Sequence, residues 1–189
     1  MSPLEILDRA TAEFDHRVRT VGPDRWPDSA GMGDWTVRDL IDHVIGGNRM
    51  AVVLLAGGSS EEAIAAFALS RDDTDLAAAY EDTARKQAEA FAAPGALDGI
   101  VHHPMGDMPA AQLIDFRIMD LAVHAWDLAR ATGGDESLDE TTVQHIWDQL
   151  QPIAPIMGHI GVFGEGASGT VPEDAPLQLR MLDLSGRRP

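Results

Sequence analysis

Apolar residues recur every three to four positions through most of this chain, the period of helices that bury one face. Leu4, Leu7, Ala10, Phe14 and Val18 form the first such stripe. It opens on Ser2-Pro3-Leu4-Glu5, a capping box with proline in the first helical position, so a helix is predicted from there to about Val21. Gly22-Pro23-Asp24-Arg25-Trp26-Pro27 cannot extend it and reads as a loop, with Trp26 packing on the neighbouring helices. Thr36 and Asp39 repeat the N-terminal signature, and Trp35 and Leu40 stand at the spacing of a hydrophobic staple. A second helix is predicted from Val37 through Leu40, Val44, Gly47, Met50 and Leu54, stopped by Gly57-Gly58.

A short helical piece is expected from Glu61 to Leu69, and Asp73-Thr74 is read as the opening of an alanine-rich pattern from Leu76 to Phe91. Pro94-Gly95 ends it, and from Ala96 to Met108 the pattern is irregular. Pro109 then sits where a first helical residue belongs, opening a long run to Ala131 that Gly133-Gly134 terminates. Ser137 with Glu140 is read as the start of a further helix that fades at Pro152 and Pro155. After Met157 a glycine-rich stretch reaches Gly169, and Pro172 to Pro176 continue the loop. The apolar patch Leu177, Leu179, Met181 and Leu184 predicts a brief helix packing back on the rest. Four long helices with no strand pattern predict an all-α fold, a four-helix bundle with short additional helices and a C-terminal tail. A single domain over 1–189 is expected, its tail being about 160–189.

Composition sharpens this picture. Aromatic residues are only 5% of a chain that is 44% hydrophobic, so aliphatic side chains and alanine must fill the core, which favours helices. The net charge of −17 repels phosphate backbones and anionic lipid, so neither nucleic acid nor membrane is an expected partner. No stretch has the apolar length of a membrane span, and Met1-Ser2-Pro3-Leu4-Glu5 has no signal core; the expected location is cytoplasmic. The absence of cysteine excludes disulfides, thiolate ligands and a cysteine nucleophile. A metal would need His, Asp or Glu, which suit zinc, nickel, iron or manganese.

Asp120-Leu121-Ala122-Val123-His124 puts a carboxylate and an imidazole four residues apart, on one helical face and within reach of one ion. His43, midway along the second helix, is the candidate third ligand. Leu40, Ile41 and Val44 flank it, and Leu121, Val123 and Trp126 flank His124, so both imidazoles stand where exposure would be costly. Two readings stay open at this level: a metal centre, or a buried hydrogen-bonded polar network without an ion. Arg117 and Asp127 lie three residues before Asp120 and three after His124, with Arg117 placed to orient the carboxylate or to meet an anionic substrate group. Both, with Asp42, Asn48 and Arg49, also admit plain ion-pair or hydrogen-bond roles. His16 and His145 read as wholly or partly exposed helix positions, and His159 as a loop residue. His102-His103 read as solvated or lining a pocket.

The segment Trp35-Thr36-Val37-Arg38-Asp39-Leu40-Ile41-Asp42-His43-Val44-Ile45-Gly46-Gly47-Asn48, with Asp120-Leu121-Ala122-Val123-His124-Ala125-Trp126-Asp127-Leu128-Ala129, resembles the metal-binding domain of actinobacterial mycothiol-dependent maleylpyruvate isomerase, a member of the DinB-like four-helix-bundle superfamily. The resemblance runs through Pro172-Glu173-Asp174-Ala175-Pro176-Leu177 to the end of the chain. It implies metal ligation by His43, Asp120 and His124. The family's acid is often glutamate, so aspartate here shortens the reach by one methylene. The isomerase also carries a further C-terminal domain that contributes to its active site, and this sequence ends after its short tail. The resemblance thus implies the fold and the metal more directly than the substrate.

Three protein ligands leave coordination positions open, as at catalytic centres. The expectation is a metal-dependent thiol transferase or isomerase with zinc or nickel and with mycothiol as cosubstrate. Its partners would be a small-molecule thiol and an electrophile, and a homodimer is admitted. A non-catalytic metal-binding helical module and a metal-dependent hydrolase are the alternatives.

Overall fold

The computed structural model describes residues 1–156 and 166–189; His159 and most of the glycine-rich stretch lie outside them. Two compact units divide the chain, Met1–Ser137 and Leu138–Pro189.

In the first unit α1 (Pro3–Thr20) starts as expected: Ser2 accepts from the Glu5 amide while the Glu5 carboxylate takes the Ser2 N–H. Helix α2 (Val37–Leu55) carries the same reciprocal box between Thr36 and Asp39. Asp39's carboxyl is held low by the Thr36 hydroxyl and amide. Then follow α3 (Ser60–Ala68), α4 (Leu76–Ala92) and α5 (Ala110–Thr132). Helix α5 ends where Gly133 turns left-handed at φ 71°, a conformation that costs other residues more.

The four long helices pack in a ring: α1 touches α4 and α5, and α2 touches the same two. Helices α2 and α5 are therefore neighbours, while α4 and α5 face each other across the core. Phe14, Tyr80, Leu40, Ile41, Ile45, Ile114 and Ile118 fill that core. Phe14 and Tyr80 meet at 5.0 Å, and the Tyr80 hydroxyl donates to the Thr11 carbonyl at 2.9 Å, so this buried ring also satisfies its polar tip.

Several boundaries differ from the sequence reading. The irregular stretch before α5 contains an antiparallel hairpin, β1 (Ile100–His103) with β2 (Gly106–Pro109). Each strand buries a single residue, Val101 or Met108, too few for alternation to register. Pro109 ends β2 opposite Ile100, so α5 starts one residue later than expected. Helix α4 is capped by Asp75, which accepts from the Ala78 amide, and not by Asp73-Thr74. Asp73 instead pairs with Arg49 at 2.9 Å.

The second unit holds α6 (Glu140–Leu150) and α7 (Leu177–Leu184), which pack on each other. Asp139, not Ser137, caps α6 by accepting from the Thr142 amide at 2.9 Å. The Arg180 guanidinium lies 4.5 Å over Trp147, and buried Asp183 accepts from the Ser168 amide, tying the loop to α7. Among the described residues no helix is long and apolar enough to cross a membrane.

Candidate metal centre

Helices α2 and α5 lie side by side, and one polar patch interrupts their otherwise apolar contact. His43 occupies the α2 stripe that includes Leu40, Val44 and Gly47. On α5 the spacing 117, 120, 124, 127 places Arg117, Asp120, His124 and Asp127 along one face. Packing brings His43 to the pair on α5: its Nε2 is 3.3 Å from Asp120 Oδ1, and His124 Nε2 is 3.4 Å from the same oxygen. One ligand atom from each residue lies within 4.8 Å of the others. The imidazole rings stand edge to face, 4.9 Å apart.

Two of the three ligand-to-ligand distances fit an ion directly. Ligands about 2.0–2.1 Å from a tetrahedral zinc stand roughly 3.3–3.4 Å from each other, the separation seen at both nitrogen-to-oxygen edges. The protons fit as well. Asp127 Oδ2 lies 2.9 Å from His124 Nδ1 and is buried, so Nδ1–H donates to it and the neutral ring turns its Nε2 lone pair toward Asp120 and His43. Without an ion, both nitrogens of His124 would face carboxylates. Burial opposes charge on that ring, but Asp120 and Asp127 outweigh it and raise its pKa. Burial likewise works against an ionised Asp120, yet Arg117, His43 and His124 together hold its carboxyl well below the usual carboxylate range. His43, Asp120 and His124 can therefore hold a metal ion with the carboxylate already ionised.

The patch is open on one side. The His43 and Asp120 side chains keep 31% and 24% of their exposure, against 9% for His124, so a small molecule would reach the triad along the first two. Trp35, expected to staple onto Leu40, has its ring 5.1 Å from His43 and 6.3 Å from His124. Phe67 of α3 meets His43 edge-on at 5.4 Å. Trp35 is held there by the turn before α2, in which its carbonyl accepts from the Ala30 amide at 2.8 Å.

The other singled-out residues fall into place around this patch or away from it. Arg117 is buried and donates to Asp120 Oδ2 at 2.7 Å, so it orients the carboxylate and is not presented to solvent. Asn48 is buried beside it, accepting from Arg117 at 2.8 Å and donating to Thr83 at 3.2 Å. Asp42 pairs with Arg38 at 3.2 Å, and Arg49 with Asp73. His102 pairs with Asp107 on the exposed hairpin, while His103 stacks near Phe116, and neither joins the triad. His16 is exposed and His145 half-buried.

Sequence reading missed Gln87, whose Oε1 accepts from Arg117 at 2.8 Å, together with Trp35 and Phe67 as neighbours of His43. A signal for Gln87 exists: with Thr83 it is a polar residue on the buried stripe of α4 that runs Leu76, Tyr80, Ala84, Phe91.

Comparison with known proteins agrees with this architecture. The profile of the mycothiol maleylpyruvate isomerase N-terminal domain matches residues 7–129, a span that contains the whole triad. The uncharacterized protein Rv0738 of Mycobacterium tuberculosis strain H37Rv is 35% identical over 139 residues, covering 74% of this chain and 72% of its own. The uncharacterized protein MT0763 of strain CDC 1551 matches to the same extent. Among solved structures, a histidine-to-alanine variant of the mycothiol-dependent maleylpyruvate isomerase superposes with TM-score 0.60 at 18% identity, over 78% of this chain and 68% of that one. A second structure of that isomerase gives 0.58 at 16%, with the same coverage. The chain belongs to the mycothiol maleylpyruvate isomerase N-terminal domain family.

Proposed function

We propose that this protein is a metal-dependent enzyme that brings a small-molecule thiol to an electrophile, by transfer or isomerisation, with zinc or nickel held by His43, Asp120 and His124. The observation that carries the reading is a half-open set of three donors: two Nε2 atoms converge on one carboxylate oxygen, with two of the three side chains still reached by solvent. A purely structural centre gains nothing from that opening, since its ligands close around the ion. A divalent ion there supplies a Lewis acid that lowers the pKa of a thiol or water admitted to it.

The chain has no cysteine, so a sulfur nucleophile must come from outside. That requirement agrees with the family, whose solved relatives are named for their dependence on mycothiol. Asp127 fixes the His124 ring, Arg117 fixes the Asp120 carboxylate, and Trp35 and Phe67 flank His43 with apolar surface. A cytoplasmic setting, where small thiols are kept reduced, belongs to the same proposal.

The test has two steps. Protein purified without a metal-affinity column should carry stoichiometric divalent metal, and His43→Ala or His124→Ala should abolish it; near-full occupancy in either variant overturns the assignment. Mycothiol, or a close thiol analogue, added to cobalt-loaded protein should then produce a saturable sulfur-to-metal charge-transfer band that Asp120→Ala loses. An unchanged spectrum at an ion accessible to water would overturn the thiol reading in favour of hydrolysis or a non-catalytic role.

A further inference from the structure

A full positive charge lies inside the bundle next to the triad. The Arg117 side chain keeps only 6% exposure, and acceptors from three helices surround its guanidinium. Nε donates to Gln87 Oε1 of α4 at 2.8 Å; Nη2 donates to Asn48 Oδ1 at 2.8 Å and to the Val44 carbonyl at 3.3 Å, both of α2; Nη1 donates to Asp120 Oδ2 at 2.7 Å. Gly47 makes room for it, since a Cβ there would stand 2.1 Å from Nη1. Gln87 presents its oxygen to the guanidinium although its own Nε2 is buried without a hydrogen-bond partner among the described residues. Of these acceptors only Asp120 is an anion.

We propose that Arg117 is a positioning residue for the metal centre, which by occupying Asp120 Oδ2 limits that carboxylate to one ligating oxygen, Oδ1. The inference rests on the reading of His43, Asp120 and His124 as metal ligands. An aspartate can offer an ion one oxygen or two. Here the second oxygen can reach an ion only by leaving a buried guanidinium N–H without its acceptor, which is costly in a low-dielectric interior. The oxygen left over, Oδ1, is the one that both Nε2 atoms face. One-oxygen binding keeps a coordination position available to an exogenous ligand. Lysine cannot take this role, because one ammonium cannot span acceptors on three helices as the planar fork does.

The test uses the whole chain loaded with cobalt(II), reading affinity by chelator competition, coordination number from visible absorption, and fold from far-ultraviolet circular dichroism. Arg117→Lys should weaken cobalt binding by about 10- to 100-fold. It should also lower the visible absorption as Asp120 gains its second metal contact. Gly47→Ala deletes no ligand or hydrogen-bonding group and sets a methyl where the guanidinium lies, so it should change affinity and spectrum in the same direction. Gln87→Met removes one anchor and should weaken binding roughly 2- to 10-fold. If Arg117→Lys does not fold, the other two variants decide. Folded Gly47→Ala and Gln87→Met proteins that bind cobalt as the wild type does, with unchanged spectra, overturn the proposal while leaving the metal centre standing. Wild-type protein that takes up no stoichiometric cobalt overturns the metal centre itself, and this inference with it.

Discussion

Asp127→Asn tests the contribution of a group that would support the proposed metal site without being a ligand. The Asp127 side chain is 3% exposed and accepts the His124 Nδ1 proton at 2.9 Å, in a setting where water screens little of the charge. Asparagine keeps the shape and can still accept that proton through its oxygen, while losing the charge and exchanging the other oxygen for an NH2 donor; Asp127→Ala loses the hydrogen bond as well. Loss of such partners lowers metal affinity by about 10- to 100-fold, or about 1.4–2.8 kcal/mol. The depth of Asp127 places the alanine variant toward the upper end and the asparagine variant between it and the wild type. The pH of the assay matters, because Asp127 favours the imidazolium of the metal-free protein as well as the metal-bound ring. Near neutrality these two effects of removing it partly cancel. Chelator competition with zinc at about pH 8, above the ordinary imidazole value of about 6.5, leaves metal affinity dominant. The expected order is wild type, then asparagine, then alanine, with all three giving the same circular dichroism. Asparagine and alanine variants both within twofold of the wild type would refute the idea that a fixed Nδ1 proton prepares His124 as a ligand.

Two further outcomes follow from the titrating groups. Asp120 stays ionised in acid, so protons should displace metal at the imidazoles; with His124 raised, cobalt should begin to leave near pH 6.5 and be gone before the carboxylate range near 3.9, and full retention at pH 3 in folded protein would mean different ligands. Burial pushes the Asp42 carboxyl up to about 6 against the opposing Arg38, so the fold binds a proton there that the unfolded chain has already released, and Asp42's contribution to the stability of metal-free protein should fall as pH rises from about 4 to about 6. Asp42→Asn should remove that component in urea titrations, and a variant with the wild-type pH dependence would assign it elsewhere.

Local chemistry made much of this protein legible before any tertiary information. The boxes at Ser2/Glu5 and Thr36/Asp39 lie within single turns, and they mark the starts of α1 and α2 in the folded chain. The four apolar stripes needed only the helical period, and the pairing of Asp120 with His124 only the pitch of one helix. Where several neighbouring carboxylates competed for one cap, as at Asp73 and Asp75, sequence alone chose wrongly, because Arg49 draws Asp73 away from a distance no local rule sees. The hairpin stayed hidden since each strand buries one side chain and its stability comes from the partner strand and the helices beneath it. Long-range packing alone decided that α2 lies beside α5 and opposite α1. That arrangement brings His43 within 3.3 Å of a residue 77 positions away and lets Arg117 reach across the core to Gln87. Periodicity tells a helix which face to bury, but not against which neighbour; that choice is made by the shapes of all four faces at once, and the geometry of the candidate metal site is a product of it.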